Sequence, residues 1–391
     1  MIRLTLKPGR EESVLRRHPW LFSGAVAKEE GDGSDGHAEV VDSRDRPLAR
    51  GAYSPGSQIR ARLWTFDGRA PDEDLFVERF EAARRLREES IRGDTTGYRA
   101  VHSEGDLCPG VLVDRYGDAA LVELLTEGTE RWEPALLDAA RRVLRPGRLE
   151  VRRTGAARDR GAARAPRGIT QAGASEASFR ENGLAFVADL SGGQKTGFYL
   201  DQRENRARLR ALAAGRTVLN LFSYSGAFSV AALDGGARRA VDVDSSEPAL
   251  DLARRHRKEN GLPADDADFV RADVFEDVRR RAAAGESWDV VICDPPALAK
   301  KRADVTRAAR AYKDLNRHAM ALVAPGGWLL TCSCSGLVDP ALFQKIVFAA
   351  SGESGRSFAI AARQGAGEDH PVSLDCPEGE YLKGLWLYRR A

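Results

Sequence analysis

The chain has 391 residues, of which 42% are hydrophobic and 30% charged, and its formal net charge is only +2. This length allows two or three domains with a sizeable core, and the balanced charge points to no class of partner. No run of about 18 apolar residues is present to span a bilayer, and the opening segment MIRLTLKPGREE lacks the apolar stretch of a secretory signal. Five scattered cysteines do not form the framework of a secreted disulfide protein. We therefore expect a cytoplasmic protein with reduced thiols and no membrane association.

Short alternating segments fill residues 1–72. They are IRLTL, HAEVVD, PLARGAYS and QIRARLWTF, separated by Gly, Pro and Asp. Alternation with such punctuation predicts a small β-rich domain. Residues 73–182 are predicted to form a central α+β domain, because helical spacing over 73–92 and about 130–144 flanks strand-like segments such as GVLVDRY and AALVELL.

The segment 141–180 is strongly basic, with eleven arginines and three acidic residues, a local net charge of +8. It includes GAARDRGAARAPRG, which has no apolar periodicity. One interpretation is a solvated loop, and the other is a surface that contacts nucleic-acid phosphates. The sequence leaves both open.

From residue 183 to 391, apolar strands alternate with amphipathic helices, which predicts a parallel α/β sheet. Four of the predicted strands in a row end in an acid or a thiol. These residues are Asp244, Asp273, Asp294 and Cys334. Ligands of open parallel sheets bind beyond the carboxyl ends of the strands, so we expect a site there. Each acid on its own is also explained as a helix cap, and this alternative is strongest for Asp273.

The turn after the first of these strands, NLFSYSG, has the single glycine Gly226 and lacks the G-x-G-x-x-G pattern of dinucleotide sites. This disfavours a nicotinamide dehydrogenase and suits a nucleoside without phosphates. Asp244 follows Gly226 by 18 residues, close to the spacing of an acid that binds ribose hydroxyls. Asp273 is a candidate acceptor for an adenine amino group. Ribose and adenine without phosphate indicate S-adenosylmethionine.

Several motifs resemble one family across nearly the whole chain. They are NLFSYSGAFSVAAL, VDVDSSEPALDLAR, FVRADVF, CDPPA, YKDLN, TCSCSG, the tail DHP…PEGEYLKG, GGQKTGFYLDQRENR, KPGREESVLRRHPWLFSGAV and EGDLCPGVLVDRYGD. These segments are similar to the bacterial 23S ribosomal RNA large subunit methyltransferase I family of S-adenosylmethionine-dependent cytosine-C5 methyltransferases. The chain departs from this family at RRTGAARDRGAARAPRG, where relatives have a short Arg-Ser-Asp segment.

The resemblance implies an α/β fold in three parts. The expected parts are an N-terminal PUA-like β-barrel at 1–72, a central α+β domain at 73–182 and a Rossmann-like class I methyltransferase domain at 183–391. The residues expected to bind the cofactor are Asn220, Phe222, Ser223, Gly226, Asp244, Asp273, Gln202 and Arg203. Arg203 is expected to bind the methionine carboxylate or a phosphate, and Phe198 or Tyr199 to stack on a nucleobase.

A cytosine-C5 methyltransferase needs a nucleophile, because C5 becomes reactive only when a thiolate adds to C6. Cys332 and Cys334 face the same side of their strand, and Cys334 lies nearer its end. We expect Cys334 to be the nucleophile, Asp294 to assist, and Cys332 and Cys293 to be buried. The alternative for Cys334 is a packed thiol.

The expected partner is ribosomal RNA with a flipped or unpaired target nucleotide. Candidate contacts to its backbone are Lys7, Arg10, Arg16, Arg17 and His18. Ala297 follows the two prolines of DPPA, where amine methyltransferases have an aromatic residue, which argues against amine methylation. Two alternatives remain, methylation of another base atom such as a guanine nitrogen, and a non-catalytic RNA-binding protein. The oligomeric state, including a homodimer, is left open.

Overall fold

The computed structural model describes residues 1–155, 176–190, 197–299 and 301–390. The chain forms two compact units. Unit 1 comprises Met1–Gly183, Val187–Leu200 and Glu368–Gly379, and unit 2 comprises Leu184–Phe186, Asp201–Gly367 and Glu380–Ala391. Unit 1 thus spans both predicted N-terminal segments, 1–72 and 73–182, together with a piece of the C-terminal tail.

Unit 1 begins with a six-stranded mixed sheet that forms a half-barrel. Its strands are β1 (Ile2–Leu6), β2 (Trp20–Phe22), β3 (Val26–Glu30), β4 (His37–Val41), β5 (Pro47–Tyr53) and β6 (Ile59–Thr65), and α1 is Glu12–Leu15. The order is β2-β6-β5-β4-β1-β3. Alternate residues of β1, namely Ile2, Leu4 and Leu6, are buried in the core, as period-2 patterning requires. This confirms the predicted β-rich domain.

The second part of unit 1 combines three helices with a four-stranded sheet. The helices are α2 (Glu73–Ser90), α3 (Glu127–Glu130) and α4 (Glu133–Leu144), and the strands are β7 (Gly97–His102), β8 (Val111–Tyr116), β9 (Ala119–Leu124) and β10 (Arg148–Arg153). The order is β10-β9-β8-β7. Asp72 caps α2 by accepting from the Leu75 backbone N–H at 2.8 Å. The long helices α2 and α4 cover the core, which contains Phe76, Phe80 and Leu136.

A two-stranded sheet of β11 (Glu176–Glu181) and β12 (Leu184–Asp189) follows in the sequence. Its turn is Asn182-Gly183, with φ of 52° and 86°. Such positive φ values are those of the favoured tight hairpin turns, and Asn-Gly is a preferred pair for them.

Unit 2 is built on a seven-stranded sheet. Its strands are β13 (Thr217–Leu221), β14 (Arg239–Asp244), β15 (Phe269–Arg271), β16 (Trp288–Cys293), β17 (Val323–Ser333), β18 (Phe358–Gln364) and β19 (Lys383–Arg389). The order is β15-β14-β13-β16-β17-β19-β18. The first five strands pair in parallel, whereas β19 pairs antiparallel with both β17 and β18.

Helices connect the strands of this sheet. They are α5 (Arg203–Leu212), α6 (Ala227–Asp234), α7 (Glu247–Glu259), α8 (Val274–Ala283), α9 (Val305–Ala321) and α10 (Pro340–Ser354). One apolar layer contains Val291, Leu329 and Tyr312, and the other contains Ile292, Leu330 and Trp386. Successive strand residues therefore enter opposite layers, which explains why these strands read as continuous apolar runs. The predicted Rossmann-like α/β domain is confirmed.

Candidate active site at the carboxyl ends of the strands

The polar residues predicted from the strand ends meet at one edge of the unit 2 sheet. Strand β13 lies between β14 and β16, so the chain order reverses on either side of it. Such a switch point opens a crevice beyond the carboxyl ends of the strands. Asp244 ends β14, Asp294 follows β16, and Cys334 follows β17. The topology brings these three residues to the same edge.

The turn after β13 is tight and holds an unusual backbone. Phe222, Tyr224 and Gly226 have φ of 59°, 47° and 69°. A Cβ on Gly226 would lie 2.6 Å from Cβ of Ala253 in α7. Gly226 is therefore required for the close packing of the turn against α7 as well as for its backbone conformation.

We expect Gly226→Ala to destabilise unit 2 more than a matched glycine substitution. Gly261 has nearly the same φ, 66°, but open space around its Cβ position. Gly261→Ala should cost about 1 kcal/mol for the left-handed backbone alone, and Gly226→Ala about 2 kcal/mol more because of the overlap. Denaturant unfolding measures both variants. Equal losses would show that packing against Ala253 contributes nothing.

Asp244 fixes two loops at once. Its Oδ2 accepts from the Tyr224 backbone N–H at 2.8 Å, and its Oδ1 accepts from the Ser246 backbone N–H at 2.9 Å. The helix cap itself is Ser246, whose Oγ accepts from Ala249 at 3.4 Å. A carboxylate accepts about four hydrogen bonds, so Asp244 retains capacity to accept from a ligand.

Asp273 caps a helix, as the alternative interpretation of this residue predicted. It is the N-cap of α8, and its Oδ1 accepts from the Glu276 backbone N–H at 3.1 Å. Its side chain is exposed. Near it, Phe222 packs edge-on against Phe275, with ring centroids 5.6 Å apart. The role of Asp273 in ligand binding stays a prediction.

A buried polar cluster, which the sequence did not predict, lies beneath the turn that follows β13. Asp242 and Arg257 form a salt bridge of 2.6 Å with both side chains fully buried. Asp242 Oδ1 also accepts from Ser229 Oγ at 2.6 Å and from Asn220 Nδ2 at 2.8 Å. Asn220, predicted to bind the cofactor, thus has its amide committed to this cluster. Its predicted role stays untested.

Hydrogen bonds on both sides of Cys334 hold the end of β17. Ser333 Oγ donates to the Tyr312 hydroxyl at 3.1 Å, and Tyr312 shares a second hydrogen bond of 3.0 Å with Ser335 Oγ. Ser335 Oγ also accepts from the Ala299 backbone N–H at 3.2 Å. The two serines of SCS therefore anchor to α9 and leave the cysteine between them partly exposed.

Lys383, which sequence reasoning missed, supports the same loop. Its Nζ donates to the carbonyl oxygens of Ser335 and Tyr381, both at 2.7 Å, and the residue is 7% exposed. Burial lowers the pKa of Lys383, while the nearby Cys334 acts in the opposite direction. By reciprocity, the lysine charge favours the thiolate form of Cys334. The only signal was its place in EYLKG, one of the motifs of the family resemblance.

We expect Lys383→Met to make Cys334 less reactive at neutral pH. Loss of the nearby cation should move the pH midpoint of Cys334 alkylation by iodoacetamide upward by about one unit. Peptide mass spectrometry across a pH series measures it. Lys383→Arg keeps the charge and should shift the midpoint less. A midpoint common to all three proteins would rule out electrostatic coupling between Lys383 and the thiol.

The other two thiols of this region are buried, as predicted. Cys293 and Cys332 are both fully inaccessible, in opposite apolar layers of the sheet. Burial, reinforced by the charge of Asp294, raises the pKa of each thiol well above its usual range. Neither provides a thiolate at neutral pH, whereas Cys334 lies at the edge of the sheet.

Two residues of the motif GGQKTGFYLDQRENR, Gln202 and Arg203, have contacts that the sequence did not predict. Gln202 Nε2 donates to Asp294 Oδ2 at 2.8 Å, so the amide binds the candidate catalytic acid. Arg203 is 3% exposed and contacts Glu204 Oε1 at 3.1 Å. Their roles toward a cofactor stay predictions. Lys195 and Thr196, which precede them in the motif, lie outside the described residues.

Phe198 was wrongly predicted as a candidate to stack on a base. Its side chain is 2% exposed and packs edge-on against Phe179 within unit 1, with ring centroids 4.9 Å apart. A ring in the core is not available to a nucleobase. Tyr199, the other predicted candidate, is half-buried, and its role stays a prediction.

The basic residues predicted to contact RNA lie on both sides of α1, in the segment of unit 1 that connects β1 to β2. Lys7, Arg10, Arg16 and Arg17 are exposed, and His18 is half-buried. In the arginine-rich segment 141–180, residues 156–175 lie outside the described residues. Of its described arginines, Arg152 donates to the Leu190 carbonyl at 3.0 Å and Arg153 binds Glu133. These two serve the fold of unit 1.

One group in unit 1 has the spacing of a metal site, but its hydrogen bonds oppose one. His18, Cys376 and Glu378 place their ligand atoms within 4.8 Å of one another. His18 Nδ1 accepts from the Trp20 backbone N–H at 3.1 Å, so neutral His18 carries its proton on Nε2, which faces Glu378 at 3.4 Å. Burial and nearby carboxylates raise the pKa of Cys376 to about 12. These residues form a hydrogen-bonded group.

Proteins of known family share both the sequence and the architecture of this chain. A family model for S-adenosylmethionine-dependent methyltransferases matches residues 172–372, and a model for PUA-like domains matches residues 4–66. Ribosomal RNA large subunit methyltransferase I of Photobacterium profundum is 44% identical over 390 residues, which cover 98% of each chain. The chain belongs to the ribosomal RNA large subunit methyltransferase I family. The relative of the same name from Klebsiella pneumoniae is 42% identical over 388 residues, covering 98% of this chain and 97% of its own.

A solved structure agrees with the fold of this family member. A candidate S-adenosylmethionine-dependent methyltransferase from Streptococcus mutans superposes with a TM-score of 0.83 at 24% identity, covering 99% of this chain and 100% of that chain. The match to the methyltransferase family model makes S-adenosylmethionine the cofactor. Among the described residues, no helix combines the length and apolar character needed to cross a membrane.

Proposed function

We propose that this methyltransferase transfers a methyl group to C5 of a cytosine in large-subunit ribosomal RNA, through a covalent bond between Cys334 and C6. The carrying observation is the position of Cys334, a partly exposed thiol at the sheet edge that also bears Asp294. The names of the relatives support ribosomal RNA of the large subunit as the substrate class.

The turn after β13 and the end of β14 fit the nucleoside part of S-adenosylmethionine. Ser223 Oγ is buried and has no hydrogen-bond partner among the described residues, which suits a polar ligand. Asp244 has acceptor capacity for ribose hydroxyls, and Phe222 and Asp273 flank the same edge. When bound, S-adenosylmethionine supplies an electrophilic methyl group on its sulfonium.

The residues of this chain would act on the base both before and after methyl transfer. The Cys334 thiolate forms a bond to C6, which moves electron density onto C5 and makes that carbon the methyl acceptor. After methylation, the C5 proton leaves to a base and the Cys334–C6 bond breaks, which restores the aromatic ring. Asp294 would bind the ring nitrogen or amino group of the cytosine and accept or return its proton. The charge of Lys383 would favour the thiolate form of Cys334.

RNA recognition is assigned to unit 1 on charge and exposure. Four exposed cations lie in the segment of the PUA-like domain between β1 and β2, where they would contact phosphates without reading sequence: Lys7, Arg10, Arg16 and Arg17. The target base must leave its stack to reach a partly buried thiol, so the substrate would present a flipped or unpaired cytosine.

The test is methyl transfer from labelled S-adenosylmethionine to large-subunit ribosomal RNA that lacks the modification, followed by nucleoside analysis. The proposal predicts label in 5-methylcytidine. Label in a methylated guanosine would instead establish the alternative target atom. Absence of label from RNA, with S-adenosylmethionine still bound, would favour a non-catalytic RNA-binding protein. Ala297, in place of an aromatic residue after the two prolines, argues against amine methylation.

A further inference from the structure

A buried chain of three hydrogen bonds runs from β19 to the carboxylate of Asp294. The Trp386 indole N–H donates to Asn205 Oδ1 at 2.8 Å, and Asn205 Nδ2 donates to Gln202 Oε1 at 2.7 Å. Gln202 Nε2 then donates to Asp294 Oδ2 at 2.8 Å. Trp386 and Asn205 are fully buried, and Gln202 is 2% exposed.

The donor-to-acceptor direction of these hydrogen bonds is fixed by the indole of Trp386. An indole N–H only donates, so the oxygen of Asn205 must face Trp386 and its nitrogen must face Gln202. The oxygen of Gln202 is then used, and its nitrogen faces Asp294. Each amide therefore has a single favoured orientation, set by Trp386, which lies three hydrogen bonds away from the acid.

The hydrogen-bonded residues come from segments that are distant in the sequence. Gln202 immediately precedes α5 and Asn205 lies in its first turn, so residues three apart face one side of the helix. Trp386 is in β19, opposite Leu330 of β17.

We propose that Trp386 and Asn205 are positioning residues that act through Gln202 to hold Asp294 ionised and in one orientation for base methylation. This role rests on the proposed function, because it requires Asp294 to work on the target base. A hydrogen bond donated to a carboxylate favours its charged form. A buried amide with only one favoured orientation does not rotate to present its oxygen instead.

Asn205→Asp tests the proposal with almost no change of shape. The substitution replaces the nitrogen that faces Gln202 by an oxygen, so Gln202 must turn its Nε2 toward residue 205 and its Oε1 toward Asp294. The acid limb of the pH profile of kcat should then move up by about one pH unit, with kcat at pH 7 reduced about tenfold. The KM for S-adenosylmethionine should change less than about twofold. Trp386→Phe removes the indole donor. It should move the acid limb of the pH profile in the same direction as Asn205→Asp, but by a smaller amount.

Asn316→Asp is the matched control. Asn316 is also fully buried, and its Nδ2 donates to the Tyr312 carbonyl at 2.8 Å in α9, outside the chain of hydrogen bonds. This variant should lose stability but keep the wild-type acid limb. The proposal is overturned if Asn205→Asp keeps the wild-type limb, or if Asn316→Asp moves it equally.

A second readout needs no catalysis and separates this proposal from the proposed function. The carboxyl carbon of Asp294, assigned by its loss in Asp294→Asn, is titrated by NMR in the wild type and in Trp386→Phe. A higher midpoint in Trp386→Phe supports the positioning role, whichever nucleoside carries the label. Equal midpoints overturn it even if 5-methylcytidine is the product.

Discussion

Cys334→Ala should abolish methyl transfer, because C5 of cytosine is not activated without a thiolate at C6. We expect kcat to fall by roughly a thousandfold or more, the scale on which loss of a covalent nucleophile is felt. The KM for S-adenosylmethionine should stay within about twofold, since Cys334 is assigned to the base and not to the cofactor. Initial rates with labelled S-adenosylmethionine and unmodified ribosomal RNA measure both parameters.

Cys332→Ala is the control in the same strand. Its Sγ is fully buried, and burial together with the charge of Asp294 raises its pKa well above the usual range. The variant should keep most of the activity and lose about 1 kcal/mol of stability from the missing sulfur. The opposite pattern, with activity lost in Cys332→Ala and kept in Cys334→Ala, would reverse the assignment.

Arg257→Met should destabilise unit 2 strongly. The substitution leaves the Asp242 carboxylate fully buried without its cation, and it also removes the bond of 2.9 Å from Arg257 to the Ala240 carbonyl. Breaking a buried ion pair costs about 3–5 kcal/mol. Because Asp242 also binds Asn220 and Ser229 beneath the first turn, binding of S-adenosylmethionine should weaken as well. Denaturant unfolding and calorimetric titration measure the two effects.

A surface ion pair on the same helix is the control. Arg255 and Glu259 are 2.8 Å apart, with side chains 43% and 34% exposed. Arg255→Met should cost about 0.5 kcal/mol or less, as exposed pairs do. If Arg257→Met cost no more than this, the buried cluster would not support the turn.

The edge of the sheet was predictable because parallel strands place their carboxyl ends together. Apolar runs followed by Asp244, Asp294 and Cys334 were enough to bring three residues to one crevice. The alternation of TCSCSG likewise predicted a buried Cys332. The sequence showed that the turn after β13 contains one glycine, Gly226. It did not show why a side chain is excluded there, because the excluding contact comes from Ala253 in another helix.

Interactions between distant segments could not be predicted from the sequence. Gln202 hydrogen-bonds to Asp294, which is 92 residues away in the sequence, and the fixed donor, Trp386, lies on a strand inserted between β17 and β18. The expected role of Gln202 in binding the cofactor stays a prediction. Phe198 was misassigned because an aromatic residue in a motif looks the same whether it stacks on a base or on Phe179. Periodicity reports which face of an element is apolar, and it does not report which element covers that face.

The most direct test of the covalent mechanism is trapping on ribosomal RNA that carries 5-fluorocytidine. Fluorine at C5 cannot leave as a proton does, so the bond between the enzyme and C6 should persist after methyl transfer. With S-adenosylmethionine present, we predict a denaturant-resistant protein–RNA complex whose crosslinked peptide contains a modified Cys334, absent in Cys334→Ala and present in Cys332→Ala. An active enzyme that forms no such complex, or one joined through another residue, would contradict the assignment of Cys334 as the nucleophile.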